Sequence, residues 1–214
     1  MSIKPGRFIS FEGGEGSGKS TQIKKIAAMI ERNGIQVILS REPGGSKGGE
    51  EIRELLVTGD AGRWDGVTEL LLLYAARNDH VEKIIKPAIA EGKWVLCDRF
   101  ADSTMAYQGY GHELGRERIE QVHIASLGDF NPDLTIIIDI PVEVGLKRAL
   151  ARRDGEDRYE NMDISFHQRM RDGYLDIANH APDRVKVIDG NGEIDEVSER
   201  LQQQILATFP ELEI

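Results

Sequence analysis

Residues 13–20 read GGEGSGKS, the spacing G-x-x-x-x-G-K-S, and no other stretch restricts the folding of this chain as sharply. A β-prone run, RFISFEG (7–13), precedes it, and STQIKKIAAMIE (20–31) follows with the apolar period of an amphipathic helix. Strand, glycine loop and helix in that order form an anion cradle. Glycines let successive backbone N–H groups turn inward, and the helix adds its positive N-terminal end. The expected contacts run through Gly13, Gly14, Glu15, Gly16, Ser17, Gly18, Lys19, Ser20 and Thr21. Lys19 should reach the β- and γ-phosphates of a nucleoside triphosphate, and the Ser20 hydroxyl should sit on Mg²⁺. The plainer alternative is a glycine-rich turn with a surface lysine. Glu15 is the puzzle, because a carboxylate among phosphates is repelled. Its side chain should therefore point out of the cradle, toward a second substrate, or else only brace the loop.

Four further β-rich runs alternate with helical patterns: QVILSRE (36–42), KWVLCDR (93–99), LTIIIDI (134–140) and VKVID (185–189). Most of these runs are nearly continuous in apolar character, as parallel strands covered on both faces are. Repeated strand–helix units predict an α/β fold, a five-stranded parallel sheet with helices on both faces, built as one domain over residues 1–214. Ligands on such a sheet bind beyond the carboxyl ends of its strands. The C-terminal EIDEVSERLQQQILATF reads as an amphipathic helix closing the sheet.

Formal net charge is −10, from 27 basic and 37 acidic residues, which argues against a nucleic-acid coat. The single cysteine, Cys97, lies in an apolar run and reads as packing. No apolar run approaches the ~18 residues of a membrane span, and the N-terminus lacks a signal-peptide core. A cytoplasmic protein with no membrane partner is the expectation. The histidines show no metal-ligand spacing, so Mg²⁺ arriving with ATP is the only metal expected.

Three segments address a second substrate. In DRF, Asp98 can bind Mg²⁺ directly or through water, and Arg99 can fork onto a phosphate; a structural Asp–Arg pair is the alternative. In ELLLLYAARNDH, Leu70, Leu73, Tyr74 and Arg77 share a helix face. That face is either a floor for a nucleobase with a donor fork at its edge, or a core helix whose arginine snorkels to water. In DSTMAYQGYG, Ser103 and Tyr107 share one helical face, as do Thr104 and Gln108. No N-K-x-D guanine-reading motif is present, which counts against a GTPase, and the chain is short for a motor.

Together FEGGEGSGKST, REPGG with GEEIR, LLLYAAR, DRFADSTMAYQGYG, PDLTIIIDIPVEVGLKR and DRYE resemble the thymidylate kinases, in family order over nearly the whole chain. The resemblance implies a P-loop kinase fold with a mobile lid (about 148–160), transfer of the γ-phosphoryl group of ATP to dTMP, and a homodimer. It places Arg99 and Arg53 on the dTMP phosphate, Arg77 on a thymine carbonyl, and Thr104 and Gln108 on the base edge, with Ser103 nearby. Tyr107 would crowd the sugar 2′ position. Glu12, Glu42 and Pro43 join the substrate residues, with Glu42–Pro43 as a cis peptide, and Glu15 lies near the sugar 3′-hydroxyl. Where the family usually stacks phenylalanine on thymine, this chain has Leu73, with Tyr74 beside it as the alternative cover. No arginine stands among the variable loop positions, so the lid, with Arg148, Arg152, Arg153 and Arg158 around Gly155, is expected to supply the catalytic charge. Arg153 and Arg158 lead, with Arg152 beside ATP. A solvated, charged helix end is the alternative.

Overall fold

The computed structural model describes residues 6–59, 62–151, 159 and 162–212. Five parallel strands pair in the order β2-β3-β1-β4-β5: β1 (Phe8–Glu12), β2 (Val37–Arg41), β3 (Trp94–Asp98), β4 (Leu134–Asp139) and β5 (Val185–Asp189). β1 sits in the middle, with Phe8 opposite Val95 and Ile9 opposite Leu134. Strand side chains alternate between faces, and both faces are covered. Ile9, Phe11, Leu96, Ile136 and Ile138 pack on helices α1 (Lys19–Arg32) and α9 (Ile194–Thr208). Phe8, Val95 and Cys97 pack on the opposite face, against Val81, Ile85 and Ala88. The continuous apolar runs follow from this two-sided burial. The edge strands differ: Leu39 on β2 is 50% exposed and Val187 on β5 is 40% exposed.

The remaining α-helices are α2 (Lys47–Val57), α3 (Gly66–His80), α4 (Lys86–Ala90), α5 (Ala101–Thr104), α6 (Arg116–Leu127), α7 (Val142–Leu150) and α8 (Ile164–His180), with a π-helical stretch, Val81–Ile85, joining α3 to α4. Side chains cap several of them: Ser46 accepts from the Gly49 N–H, and Asp65 from those of Val67 and Thr68. The α1 N-terminus is different. Its cap is Gly18 at φ 91°, without a side-chain hydrogen bond. That backbone favours glycine, and no side chain caps the leading N–H groups of α1.

The chain after β3 holds a feature the helical reading did not anticipate. One turn of α5 runs into a π-helical segment, Met105–Gly111. The wider turn re-aims Tyr107 and Gln108 relative to Ser103 and Thr104, and such segments recur at functional sites. Among the described residues, no helix is long and apolar enough to cross a membrane. Residues 152–158, which carry most of the expected lid, lie outside the described residues.

Candidate active site

A cleft of about 430 Å³ opens at the carboxyl ends of β1, β2 and β3. One end is the glycine loop between β1 and α1. Gly13 has φ 130°, and a Cβ there would collide with the Ile138 carbonyl. Lys19 folds over the loop: its Nζ donates to the Gly13 carbonyl at 2.9 Å, the Gly14 carbonyl at 3.1 Å and Ser17 Oγ at 3.3 Å. Burial, followed by the nearby Arg99 charge, lowers the lysine pKa to about 8. Ser20 Oγ donates to Asp98 Oδ2 at 3.0 Å. Thr21 is exposed on α1.

Glu15 leans out of this loop, as the repulsion argument requires. Its Oε1 accepts from Arg99 Nη2 at 2.9 Å and from the Tyr107 hydroxyl at 2.5 Å. Burial pushes its pKa up, but the Arg99 and Lys19 charges outweigh burial and hold it at about 2. Arg99 adopts φ 71° and reaches the Gly13 carbonyl, Ser103 Oγ and the Tyr174 hydroxyl through Nη1. Its guanidinium lies 4.9 Å from the Tyr107 ring centre. Burial opposes its charge, yet Tyr107 and Glu15 raise its pKa overall.

Glu12 requires a correction. It does not line the cleft but is fully buried behind it. Its carboxyl accepts from the Phe100 N–H at 2.8 Å, Ser103 Oγ at 2.5 Å and the Tyr174 hydroxyl at 3.4 Å. It meets the cleft-lining residues through Ser103, whose hydroxyl it holds. Burial, then the Asp102 charge, raises its pKa to about 7.

The far end of the cleft is built on α3. Arg77 does not snorkel to water; it is 2% exposed. Its Nε donates to Glu42 Oε2 at 2.7 Å, and Nη2 donates to the Phe100 carbonyl and Thr104 Oγ1 at 3.0 and 2.9 Å. Its remaining nitrogen, Nη1, is buried without a partner among the described residues. The other Glu42 oxygen meets His80 Nδ1 at 2.9 Å. Glu42–Pro43 is a cis peptide, and Arg53 donates to the Pro43 carbonyl at 2.7 Å. Leu73 lines the cleft, whereas Tyr74 turns into the core, its ring 4.6 Å from the Arg77 guanidinium and its hydroxyl on His123. Of the two, Leu73 is the one that faces the cleft. Gln108 Nε2 donates to Glu69 Oε1 at 2.7 Å and to the Tyr159 hydroxyl at 3.2 Å.

Ser103, Thr104, Tyr107, Gln108, Arg53 and Arg99 thus line the same cleft as Gly16, Ser17, Gly18, Lys19 and Ser20. Gly13 and Gly14 lie on its rear side, toward β4 and α8. Arg152, Arg153 and Arg158 are outside the described residues, and Arg148 is exposed on α7. Sequence reasoning missed Glu69, Tyr174 and His80. An acidic residue inside the apolar α3 run was a usable signal for Glu69; nothing local marks Tyr174.

The family model described as "Thymidylate kinase" matches residues 11–201. The chain belongs to the thymidylate kinase family. It is 53% identical to a thymidylate kinase of Caulobacter vibrioides over 201 residues, covering 94% of this chain and 96% of that one. A thymidylate kinase of Afipia carboxidovorans is 50% identical over 211 residues, with 96% and 92% covered. The crystal structure of thymidylate kinase from Ehrlichia chaffeensis superposes with a TM-score of 0.77 at 37% identity, covering 94% of this chain and all of that one. The cleft is therefore that of an ATP-dependent kinase, on a P-loop kinase fold.

Proposed function

We propose a division of labour within the cleft for ATP-dependent phosphorylation of dTMP to dTDP. A dTMP phosphate oxygen attacks the γ-phosphorus of ATP, the bond to the β–γ bridging oxygen breaks, and ADP leaves with that oxygen's charge. The loop N–H groups and Lys19 hold the triphosphate, and Lys19 exchanges its loop carbonyls for β- and γ-oxygens. The Ser20 hydroxyl and Asp98 carboxylate are hard oxygen donors that suit Mg²⁺. Bound with ATP, Mg²⁺ would neutralise charge shared by the β- and γ-phosphates. Arg99 and Arg53 grip the acceptor phosphate, while Glu15 and Tyr107 hold Arg99 in place. Tyr107 also crowds the sugar 2′ position. Arg153 and Arg158, with Arg152, bring lid charge to the transferring group, in a lid on the single kinase domain.

The observation that carries the acceptor assignment is Arg77 Nη1, buried without a partner among the described residues in a side chain that lines the cleft with Leu73, Thr104 and Gln108. A buried donor left unpaired costs ~1–3 kcal/mol, and a base carbonyl supplies the missing acceptor. Thymine carries such a carbonyl at position 4, where cytosine carries an amino group. ADP formation from ATP with dTMP, dUMP and dCMP tests this: dTMP should lead and dCMP should trail. Equal rates would refute the base assignment. A homodimer has support in Val67 and Leu71, 40% and 55% exposed on α3, and Ile124, 67% exposed on the adjoining α6. Sedimentation should give twice the chain mass of 23.9 kDa.

A further inference from the structure

We propose that Glu69 is a positioning residue that fixes which end of the Gln108 amide faces the acceptor base, and so excludes cytosine. Glu69 is 1% exposed on α3, and Gln108 is 1% exposed on the π-helical segment opposite. Gln108 Nε2 reaches Glu69 Oε1 at 2.7 Å, and the Tyr159 hydroxyl donates to the same oxygen, also at 2.7 Å. His112 Nε2 stands 3.9 Å from it. A carboxylate only accepts hydrogen bonds, whereas an amide has a donating and an accepting end. The two ends look alike in shape, so the network decides the orientation. Glu69 draws the NH₂ to itself and leaves the amide oxygen for the cleft.

The consequence is a polarity code. Both residues line the cleft, so it then offers an acceptor in Gln108 Oε1 and, in Arg77 Nη1, a donor without a partner among the described residues. A thymine edge offers N3–H and O4, the complement of that pair. A cytosine edge offers a bare N3 and an amino group, which is the reverse. A freely turning glutamine would meet cytosine N3 with its NH₂ and lose half of the discrimination. Glu69 denies it that turn without touching the substrate. The proposal rests on Gln108 reading the base.

Two variants separate the proposal from the reading beneath it. Glu69→Gln keeps the shape but can donate as well as accept, so Gln108 is released. The dTMP-over-dCMP ratio of kcat/KM should fall by about tenfold to a hundredfold, mostly through a lower KM for dCMP, with the KM for ATP unmoved. Gln108→Met should collapse the same ratio. If Gln108→Met leaves the ratio unchanged, Gln108 does not read the base and both readings fall. If Gln108→Met collapses it and Glu69→Gln does not, the role of Glu69 alone is overturned. The unmutated protein gives an independent check should Glu69→Gln fail to fold. Its Gln108 side-chain NH₂ protons should exchange slowly with solvent, with and without dTMP. Fast exchange in the dTMP complex would overturn the proposal.

Discussion

The two ends of the cleft are made in opposite ways. The cradle is one contiguous stretch, Gly13 to Ser20, and its binding groups are largely backbone N–H. The acceptor wall is assembled from side chains far apart in the chain: Glu42 with Arg77, Glu12 with Tyr174, Gln108 with Glu69. Backbone N–H groups carry no side-chain identity, whereas the wall's buried polar groups depend on particular side-chain partners. Damage to the cradle should therefore appear mainly as lost turnover, and damage to the wall as lost stability or altered selection.

The largest expected effect is at the wall. Arg77→Met leaves the buried Glu42 carboxyl facing His80 alone, and removing one partner of a buried pair costs about 3–5 kcal/mol. Urea unfolding should show that loss, and a variant as stable as the parent would break the contrast. Lys19→Met at the cradle should instead cut kcat by about 10²–10³ while the urea midpoint moves little. If the midpoint collapses too, Lys19 is as structural as Arg77.

The third effect is a pH dependence. The Glu12 carboxyl holds its proton to about pH 7 in the folded chain, against 4.5 for its ordinary value. Between these values the folded chain binds the extra proton, so stability falls as pH rises through that window, by up to about 3 kcal/mol. Below it the contribution is fully present. Glu12→Gln should abolish that slope when urea midpoints are compared at pH 5 and pH 7.5; an unchanged slope assigns it to another group. The smallest effect belongs to Leu73→Phe. Restoring a stacking ring should hold dTMP affinity or improve it by the ~0.5–1.5 kcal/mol of an aromatic pair, read by calorimetry. A large loss would mean that Leu73 does not cover the base.

The same contrast explains what could be read from the sequence. All five strands fall within a residue or two of their apolar runs; for β1, β3 and β4 two-sided burial writes itself into consecutive positions. The cradle was legible for a similar reason, its spacing being local. Residues such as Arg99 and Gln108 were placed through a motif shared with relatives, not through any local rule. Glu12 shows the limit. The family resemblance implied a contact residue, yet strand alternation turns it beneath the wall. Tyr174 lies 162 positions from Glu12, and no periodicity announces that meeting. The π-helical segment Met105–Gly111 was invisible for another reason: it lies against α8, distant in sequence, and the apolar spacing that marks a helix does not tell one winding from another.

The bonds from Lys19 Nζ to the Gly13 and Gly14 carbonyls have one more consequence. Those bonds tie the start of the loop to the first residue of α1. A triphosphate that takes over the ammonium exchanges one set of bonds for another, and a loop already curved costs less to order. A loop wound around its own lysine is a preorganised mould.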